Sequence, residues 1–182
     1  GITNPTDFKS AMDAGTKQKT YIGQLGYVGD TGSAYLNFTS GSTNPASDEN
    51  KTQFDFVASK TISDSFGLGF NATYAKTTND FNSTLDGEWF SLVGYANYAF
   101  KETLSLAYRM EFFNAKDAAP SLGTLTGSNV FANTVSLNYK VGKLTIIPEL
   151  RYDAASEDIF KDTDALPTGG MFFALLATTY SF

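Results

Sequence analysis

Cysteine and histidine are both absent from this chain of 182 residues. Without cysteine, the chain cannot form a disulfide framework, a thiolate nucleophile or a cysteine-ligated metal site. Without histidine, it lacks the commonest general base and the commonest metal ligand, which excludes His-dependent hydrolases and most zinc sites. We therefore predict no enzyme activity, no catalytic residue, no cofactor and no metal site.

Positive charge and long apolar runs are also scarce. The chain has 13 Lys and Arg against 19 Asp and Glu, a formal charge of −6, which argues against nucleic-acid binding. Its longest unbroken apolar run, from Met171 to Ala177, is far shorter than the roughly 18 residues of a membrane-spanning helix. Aromatic residues nevertheless make up 15% of the chain, and this content excludes a disordered protein.

Apolar side chains recur with a period of two along most of the chain, which predicts β-strands. Between residues 144 and 153, for example, Leu144, Ile146 and Leu150 share one face, while Glu149 and Arg151 share the other. Nine segments show this pattern: 20–28, 33–40, 52–60, 66–76, 89–100, 104–114, 130–140, 144–153 and 171–182. Strands with one apolar and one polar face are typical of soluble sandwiches and of membrane barrels alike.

The lengths of the connections separate these two folds. Short connections at 29–32, 61–65, 101–103 and 141–143 alternate strictly with long ones at 41–51, 77–88, 115–129 and 154–170. Tight turns on one side, long loops on the other and strands of about ten residues are typical of outer-membrane barrels. We therefore predict an all-β fold, a transmembrane antiparallel up-and-down β-barrel.

Aromatic residues gather near the ends of the predicted strands. Rings with an apolar body and a polar tip settle at the two headgroup levels of a membrane, so we predict two aromatic girdles. A general preference of strands for aromatic residues is the alternative. The predicted girdle residues are Tyr21, Tyr27, Tyr74, Trp89, Tyr98, Tyr139 and Tyr152.

The chain ends on Phe182, with Tyr180 two residues earlier. This ending resembles the C-terminal insertion signal of outer-membrane barrels, which their assembly machinery reads, and the resemblance implies a Gram-negative bacterial outer membrane. A chance Phe at the end of an edge strand is the alternative. An exposed, uncharged, aromatic edge strand would however be an aggregation hazard in a soluble protein.

The number of strands predicts that the barrel is larger than this chain. Nine crossings cannot close an antiparallel barrel, because bacterial single-chain barrels have an even count. If the last strand descends to the periplasm, residues 1–19 form an extracellular loop, and residues 1–4 end a preceding strand. We therefore expect residues 1–182 to be one outer-membrane barrel domain that is N-terminally incomplete.

Alternation also predicts which polar side chains face a lumen. A charged cluster would comprise Arg109, Glu111, Glu149, Arg151 and Asp153. Other lumen-facing residues would be Gln24, Asn37, Asp55, Asn71 and Asn97, with either Asn133 or Asn138. Two interpretations of the cluster stay open: opposed rows of Arg and carboxylate whose transverse field filters solutes, or a structural ladder of salt bridges.

Several runs resemble the C-terminal half of the beta-barrel porin-2 family of outer-membrane proteins. They are EWFSLVGYANYAFKETLSLAYRMEFFNAKD at 88–117, TVSLNYKVGKLTIIPELRYDAASEDIF at 134–160, KTYIGQLGY at 19–27 and the ending ATTYSF. The runs RMEFFNAKD and PELRYD are the more specific parts, whereas the loops at 115–129 and 154–170 are this sequence's own.

The resemblance implies a porin, a passive diffusion channel for small hydrophilic solutes or ions. We expect the lipid bilayer with its lipopolysaccharide and the barrel assembly machinery as partners, and a homotrimer as the oligomer. The alternative is a structural or interaction barrel with a plugged lumen, whose long extracellular loops dock a partner.

Overall fold

One antiparallel sheet of ten strands forms most of the structure. The computed structural model describes residues 1–5, 18–42 and 49–182. In sheet order the strands are β1 (Ile2–Thr3), β2 (Thr20–Gly29), β3 (Gly32–Ser42), β4 (Glu49–Ser63), β5 (Phe66–Asn79), β6 (Gly87–Lys101), β7 (Leu104–Asn114), β8 (Asn129–Val141), β9 (Leu144–Ala155) and β12 (Gly170–Tyr180). A separate hairpin of β10 (Phe160–Lys161) and β11 (Pro167–Thr168) lies between β9 and β12.

Each strand of the sheet pairs with the one before it in the chain, apart from the intervening hairpin. Two-residue turns at 30–31, 64–65, 102–103 and 142–143 define the short-turn end of the sheet, and the connections 80–86, 115–128 and 156–169 define its long-loop end. Gly142 has a φ of +59°, a conformation that favours glycine, and this allows β8 to turn directly into β9. The predicted all-β, antiparallel, up-and-down fold is confirmed.

The nine predicted segments all correspond to strands, and several strands run further than the apolar pattern does. The predicted segment 52–60, for instance, lies inside β4, which spans Glu49–Ser63. Strands extend in this way because pairing satisfies backbone N–H and C=O groups whatever the side chain is. Apolar periodicity therefore marks the middle of a strand better than its ends.

The start of the chain forms the strand that the sequence analysis expects for residues 1–4. Ile2 and Thr3 form β1, where they pair with Tyr21 and Thr20 of β2. The backbone nitrogen of Gly1 donates a hydrogen bond of 2.7 Å to the carbonyl oxygen of Ile22. This pairing satisfies part of the free edge of β2. Residues 6–17 of the predicted loop, and residues 43–48 of the next one, lie outside the described residues.

Alternation gives the sheet two unlike faces. The apolar face carries large side chains that are between 43% and 74% exposed: Leu25, Phe54, Phe70, Met110, Leu150 and Leu176. The polar face carries Asn37 and Asp55, which lie opposite each other, and also Arg109, Glu149 and Arg151. Buried strand residues collect on the polar face, among them Ala75, Val93, Ala132 and Asp153. Such a large exposed apolar surface is unfavourable in water and suits contact with lipid.

The described strands form an open sheet. β12 pairs with β9, β1 pairs with β2, and no pairing between described residues joins these two edges. Helical structure is limited to two short 3₁₀ segments, Ser83–Leu85 and Pro120–Leu125, in the parts of the chain that the structure describes. None of the helices found there is long and apolar enough to cross a membrane.

The register corrects one predicted girdle residue. Trp89 has the same parity as Ser91 and lies on the polar face, where its ring centroid is 5.3 Å from that of Phe113. The Lys51 ammonium lies 5.6 Å from the centroid of the Trp89 ring. The aromatic character of Trp89 suggested a girdle, but strand parity decides its face. The other predicted girdle residues lie on the apolar face near strand ends: Tyr21, Tyr27, Tyr74, Tyr98, Tyr139 and Tyr152.

The two faces predict opposite effects of one substitution at adjacent positions. Leu106 lies on the apolar face opposite Leu137, whereas Ser105 lies on the polar face opposite Asn138. Arginine on a lipid-facing position costs about 2–4 kcal/mol at the bilayer midplane and about 0–1 kcal/mol near the interfaces, and Leu106, in register with Tyr98, lies between these levels. Leu106→Arg should therefore impair assembly, and Ser105→Arg should be tolerated, as measured by heat-modifiable gel mobility. Equal damage from both substitutions would contradict the assignment of the faces.

The position of Trp89 predicts how its fluorescence is quenched in bilayers. The difference between the emission of the wild type and that of Trp89→Phe isolates this one residue. A water-soluble quencher such as acrylamide should reduce that emission, and brominated lipids should leave it nearly unchanged. Tyr98→Trp on the apolar face, combined with Trp89→Phe, is the matched control and should show the reverse. Strong quenching of Trp89 by brominated lipids would place it on the lipid side.

Candidate functional site

A hydrogen-bonded network surrounds Asp55 on the polar face of β2 to β5. The carboxylate of Asp55 accepts hydrogen bonds from the Asn37 amide (3.0 Å), the Asn71 amide (2.7 Å) and the Thr73 hydroxyl (2.7 Å). Gln24 extends the network by donating to the Asn37 side-chain oxygen at 2.7 Å. All the donors to Asp55 are neutral, so hydrogen bonding stabilises its charge without cancelling it.

Two ion pairs lie on the polar face of β7 and β9. Arg109 pairs with Glu111 on β7, and the Nε of Arg151 donates to Asp153 on β9 at 2.7 Å. In both pairs the partners are two residues apart on the same strand. Asp153 is the most buried of the four, with 9% of its side chain exposed. A buried carboxylate needs such a partner, because its desolvation is costly.

Strand β8 separates the two ion pairs with small side chains. Ala132 lies opposite both Glu111 and Asp153, and Thr134 lies opposite both Arg109 and Arg151. The carboxylates therefore share one row across the sheet and the guanidinium groups share the next, with about 6.6–6.8 Å between the rows. The carboxylate row is nearer the long-loop end. The charges thus alternate along the strands, and the dipole of each pair follows its strand.

Glu149 continues this pattern one step toward the short-turn end. Its Oε2 accepts a hydrogen bond of 2.6 Å from the Ser136 hydroxyl. Glu149, Arg151 and Arg109 line one cavity of about 230 Å³, with Asn97 and Ser136 among the other lining residues. The polar wall around Arg151 therefore has acidic groups on both sides of it along β9.

The long loops cover this polar wall at the long-loop end of the sheet. The connection 115–128 is attached to β6 by a hydrogen bond of 2.6 Å, which the Glu88 N–H donates to the Asp117 carbonyl. At Gly87 any side chain would collide with the backbone of Ala118 and Ala119, so glycine allows this close packing. Leu125 and Phe160 of the two long loops reach a cavity of about 280 Å³ whose wall includes Glu111, Phe113, Arg151 and Asp153.

Every residue that the sequence placed in the lumen lies on the polar face, in two separate groups. The Asp55 network contains Gln24, Asn37 and Asn71, and the charged cluster spans β7 to β9, with Asn97 of β6 beside it. Of the two asparagines left open, Asn138 is on the polar face opposite Ser105. Asn133 is on the apolar face, where it accepts a hydrogen bond of 2.5 Å from the Tyr108 hydroxyl. That these residues line a pore stays a prediction.

Two features of the polar face were missed by the sequence analysis. The first is the aromatic contact of Trp89 and Phe113 beside Lys51. The second is β12, whose Phe173 and Leu175 lie opposite Arg151 and Glu149 on the polar face. Strand parity, applied to every residue of both strands, was the signal that could have found them.

A metal centre has no candidate ligand set in the described ranges 1–5, 18–42 and 49–182. No group of three or more His, Cys, Asp or Glu side chains is arranged there to hold a metal ion. The carboxylates of the polar face are instead engaged with arginine, amide and hydroxyl donors.

Comparison with solved structures finds the same architecture in a porin. An anion-selective porin from Comamonas acidovorans superposes with a TM-score of 0.66 at 11% sequence identity. The match covers 88% of this chain and 49% of that porin, so the chain spans about half of its length. At this identity the likeness shows the fold alone. No curated protein matches the chain at the level of sequence.

Comparison with protein-family models identifies the family. The model described as "Putative beta-barrel porin-2, OmpL-like" matches residues 1–182, the whole of the chain. The resemblance carried by the runs RMEFFNAKD and PELRYD is therefore confirmed over the full sequence. With its antiparallel up-and-down sheet and its polar face, this chain belongs to the beta-barrel porin-2, OmpL-like family.

Proposed function

We propose that this protein is a passive diffusion channel for small hydrophilic solutes or ions, with no catalytic step. The observation that carries the proposal is the two-faced sheet. Its apolar face exposes large apolar side chains, and its polar face carries a connected set of amides, hydroxyls and ion pairs. A strand wall of this kind separates lipid from water in a barrel pore.

The proposed location is the bacterial outer membrane, with residues 1–182 in one barrel domain. The family and the porin-like fold support this location. Tyr180 and Phe182, whose rings contact each other at 5.9 Å, are the proposed insertion signal for the assembly machinery. Lipopolysaccharide and lipid would contact the apolar face, and a homotrimer is the proposed assembly.

Asp55 gives the proposed lumen a preference for cations. It is held by neutral donors, and the two ion pairs found among the described residues do not involve it. An uncompensated carboxylate on a pore wall raises the local concentration of cations. The paired arginines, in contrast, contribute little net field because a carboxylate neutralises each of them.

Neutralising Asp55 should therefore shift ion selectivity. Asn at position 55 can still receive the hydroxyl hydrogen bond of Thr73, so Asp55→Asn should fold. We expect its reversal potential in a salt gradient across a planar bilayer to move toward that of a less cation-selective channel, at similar single-channel conductance. The protein should be extracted from its native membrane.

The matched control for this measurement is Asp86→Asn, which removes one negative charge from the loop between β5 and β6. Asp86 accepts from the backbone N–H of Asn79 at 2.6 Å, well away from the Asp55 network. Its effect on selectivity should be smaller than that of Asp55→Asn. Equal shifts from both variants would show that overall charge, not the wall at Asp55, sets the selectivity.

A second candidate is the docking barrel with a plugged lumen, and the ordered long loops favour it. Phe160 begins the β10–β11 hairpin and reaches the cavity over the polar wall, where it narrows access from the long-loop end. The same hairpin presents the acidic residues Asp162 and Asp164 to solvent, where a partner could contact them.

Replacing residues 158–168 with a short Gly-Ser linker separates the two candidates. An open channel should keep its ohmic steps, with equal or larger conductance because Phe160 no longer covers the wall. If the protein is a docking barrel with a plugged lumen, the wild type should carry no ion current, and the variant should no longer bind its partner. Planar-bilayer recording of both proteins, with heat-modifiable mobility as the folding control, distinguishes these outcomes.

A further inference from the structure

A groove of about 410 Å³ runs along the polar face between β9 and β12. The pairing of these strands sets its composition, because Arg151 lies directly opposite Phe173 and Glu149 lies directly opposite Leu175. Residues directly opposite each other in an antiparallel pair lie on the same face. The groove therefore holds Arg151 and two carboxylates, Glu149 and Asp153, along one wall and two large apolar side chains along the other.

Glu149 and Arg151 of the groove do not pair with each other. Arg151 uses its Nε for Asp153 at 2.7 Å, a hydrogen bond that does not involve its terminal nitrogens. Glu149 uses Oε2 to accept from Ser136 at 2.6 Å. No ion pair within 4 Å joins Glu149 to Arg151 among the described residues, although they are two positions apart on one strand. A ligand that carries both charges can therefore contact the Glu149 carboxylate and the terminal nitrogens of Arg151.

The apolar wall of the groove is formed by β12, the edge strand of the described open sheet. Phe173 and Leu175 of this strand lie on the polar face and are exposed there. On the opposite face of β12, Phe172 and Leu176 are exposed as well, at 63% and 67%. β12 thus offers an apolar surface next to Arg151 and Glu149.

We propose that this groove binds a zwitterion with an apolar side chain, with the chemistry of an apolar α-amino acid. Its ammonium group would contact the Glu149 carboxylate and its carboxylate would contact the terminal nitrogens of Arg151. Its side chain would pack on Phe173 and Leu175. This inference deepens the proposed function, since the solute reaches the groove through the proposed lumen.

The spacing of the groove suits this ligand class. Residues two apart on a strand have Cα atoms about 6.6–6.8 Å apart, and the flexible side chains of Glu149 and Arg151 can close on groups carried by a single carbon. A simple cation would make no use of Arg151 or of the apolar wall. A neutral sugar would leave Glu149 without a charged partner. A zwitterion offers an ammonium group to Glu149 and a carboxylate to the terminal nitrogens of Arg151, and it keeps the net charge of the wall unchanged.

The test measures block of the ion current by L-leucine in planar bilayers, with the protein extracted from its native membrane. L-leucine should reduce the KCl current in a saturable way. N-acetyl-L-leucine lacks the ammonium group and L-leucinamide lacks the carboxylate, so each should need about tenfold higher concentration for half-block. Glycine keeps both charges but has no side chain, and it should also block more weakly than L-leucine.

Glu149→Gln is the decisive variant, because Gln can still accept the Ser136 hydrogen bond but carries no charge. It should raise the half-blocking concentration of L-leucine about tenfold and remove the difference between L-leucine and N-acetyl-L-leucine. Glu88→Gln is the matched control. Glu88 lies on the apolar face at the long-loop end, where it accepts from the Tyr74 hydroxyl at 2.6 Å, so the block should not change.

The outcomes separate this inference from the proposed function. Ohmic steps with equal block by all four compounds, or an unchanged block in Glu149→Gln, would overturn the groove assignment and leave the channel intact. A correctly folded protein without any current would overturn the channel. In that case calorimetric titration of the detergent-solubilised protein with the same compounds still decides the groove: binding of L-leucine that weakens in Glu149→Gln supports it, and no binding overturns it.

Discussion

The antiparallel ladder from β2 to β12 is the constraint on which the rest of this structure depends. A strand in a lipid bilayer must satisfy its backbone groups through its neighbours, so pairing continues where the side-chain pattern fades. Once the register is fixed, parity alone assigns every side chain to the polar or the apolar face. A slip of one residue in β9 would send Arg151 and Glu149 to the lipid and Leu150 to the polar wall.

The charged side chains of the polar wall are stabilised in two different ways. On β7 and β9 each arginine pairs with a carboxylate two residues along its own strand, and the small residues Ala132 and Thr134 of β8 leave room for both pairs. On β4 the carboxylate of Asp55 depends on neutral donors from β3 and β5. Paired charges cost less to bury, whereas an unpaired one attracts counter-ions. The two halves of the wall therefore differ in the field that they present.

The pairing along strands bears on the two interpretations of the charged cluster. Opposed rows of arginine and carboxylate do exist, but they follow one another along the strands instead of facing each other across the sheet. The in-strand ion pairs match the structural ladder, and Glu149 pairs with neither arginine among the described residues.

The sequence by itself determined the strands, their order, the alternation of short and long connections and the face of nearly every residue, because a period of two is a local property of the backbone. It assigned Asp55 and Arg151 to one wall but could not find their partners, since a hydrogen bond between strands depends on register. Only the tertiary structure decided that Trp89 packs on Phe113, that Leu125 and Phe160 fold over the wall, and that Phe173 and Leu175 lie beside Arg151 and Glu149. These contacts join residues that are distant in the chain, and loop packing and strand pairing bring them together.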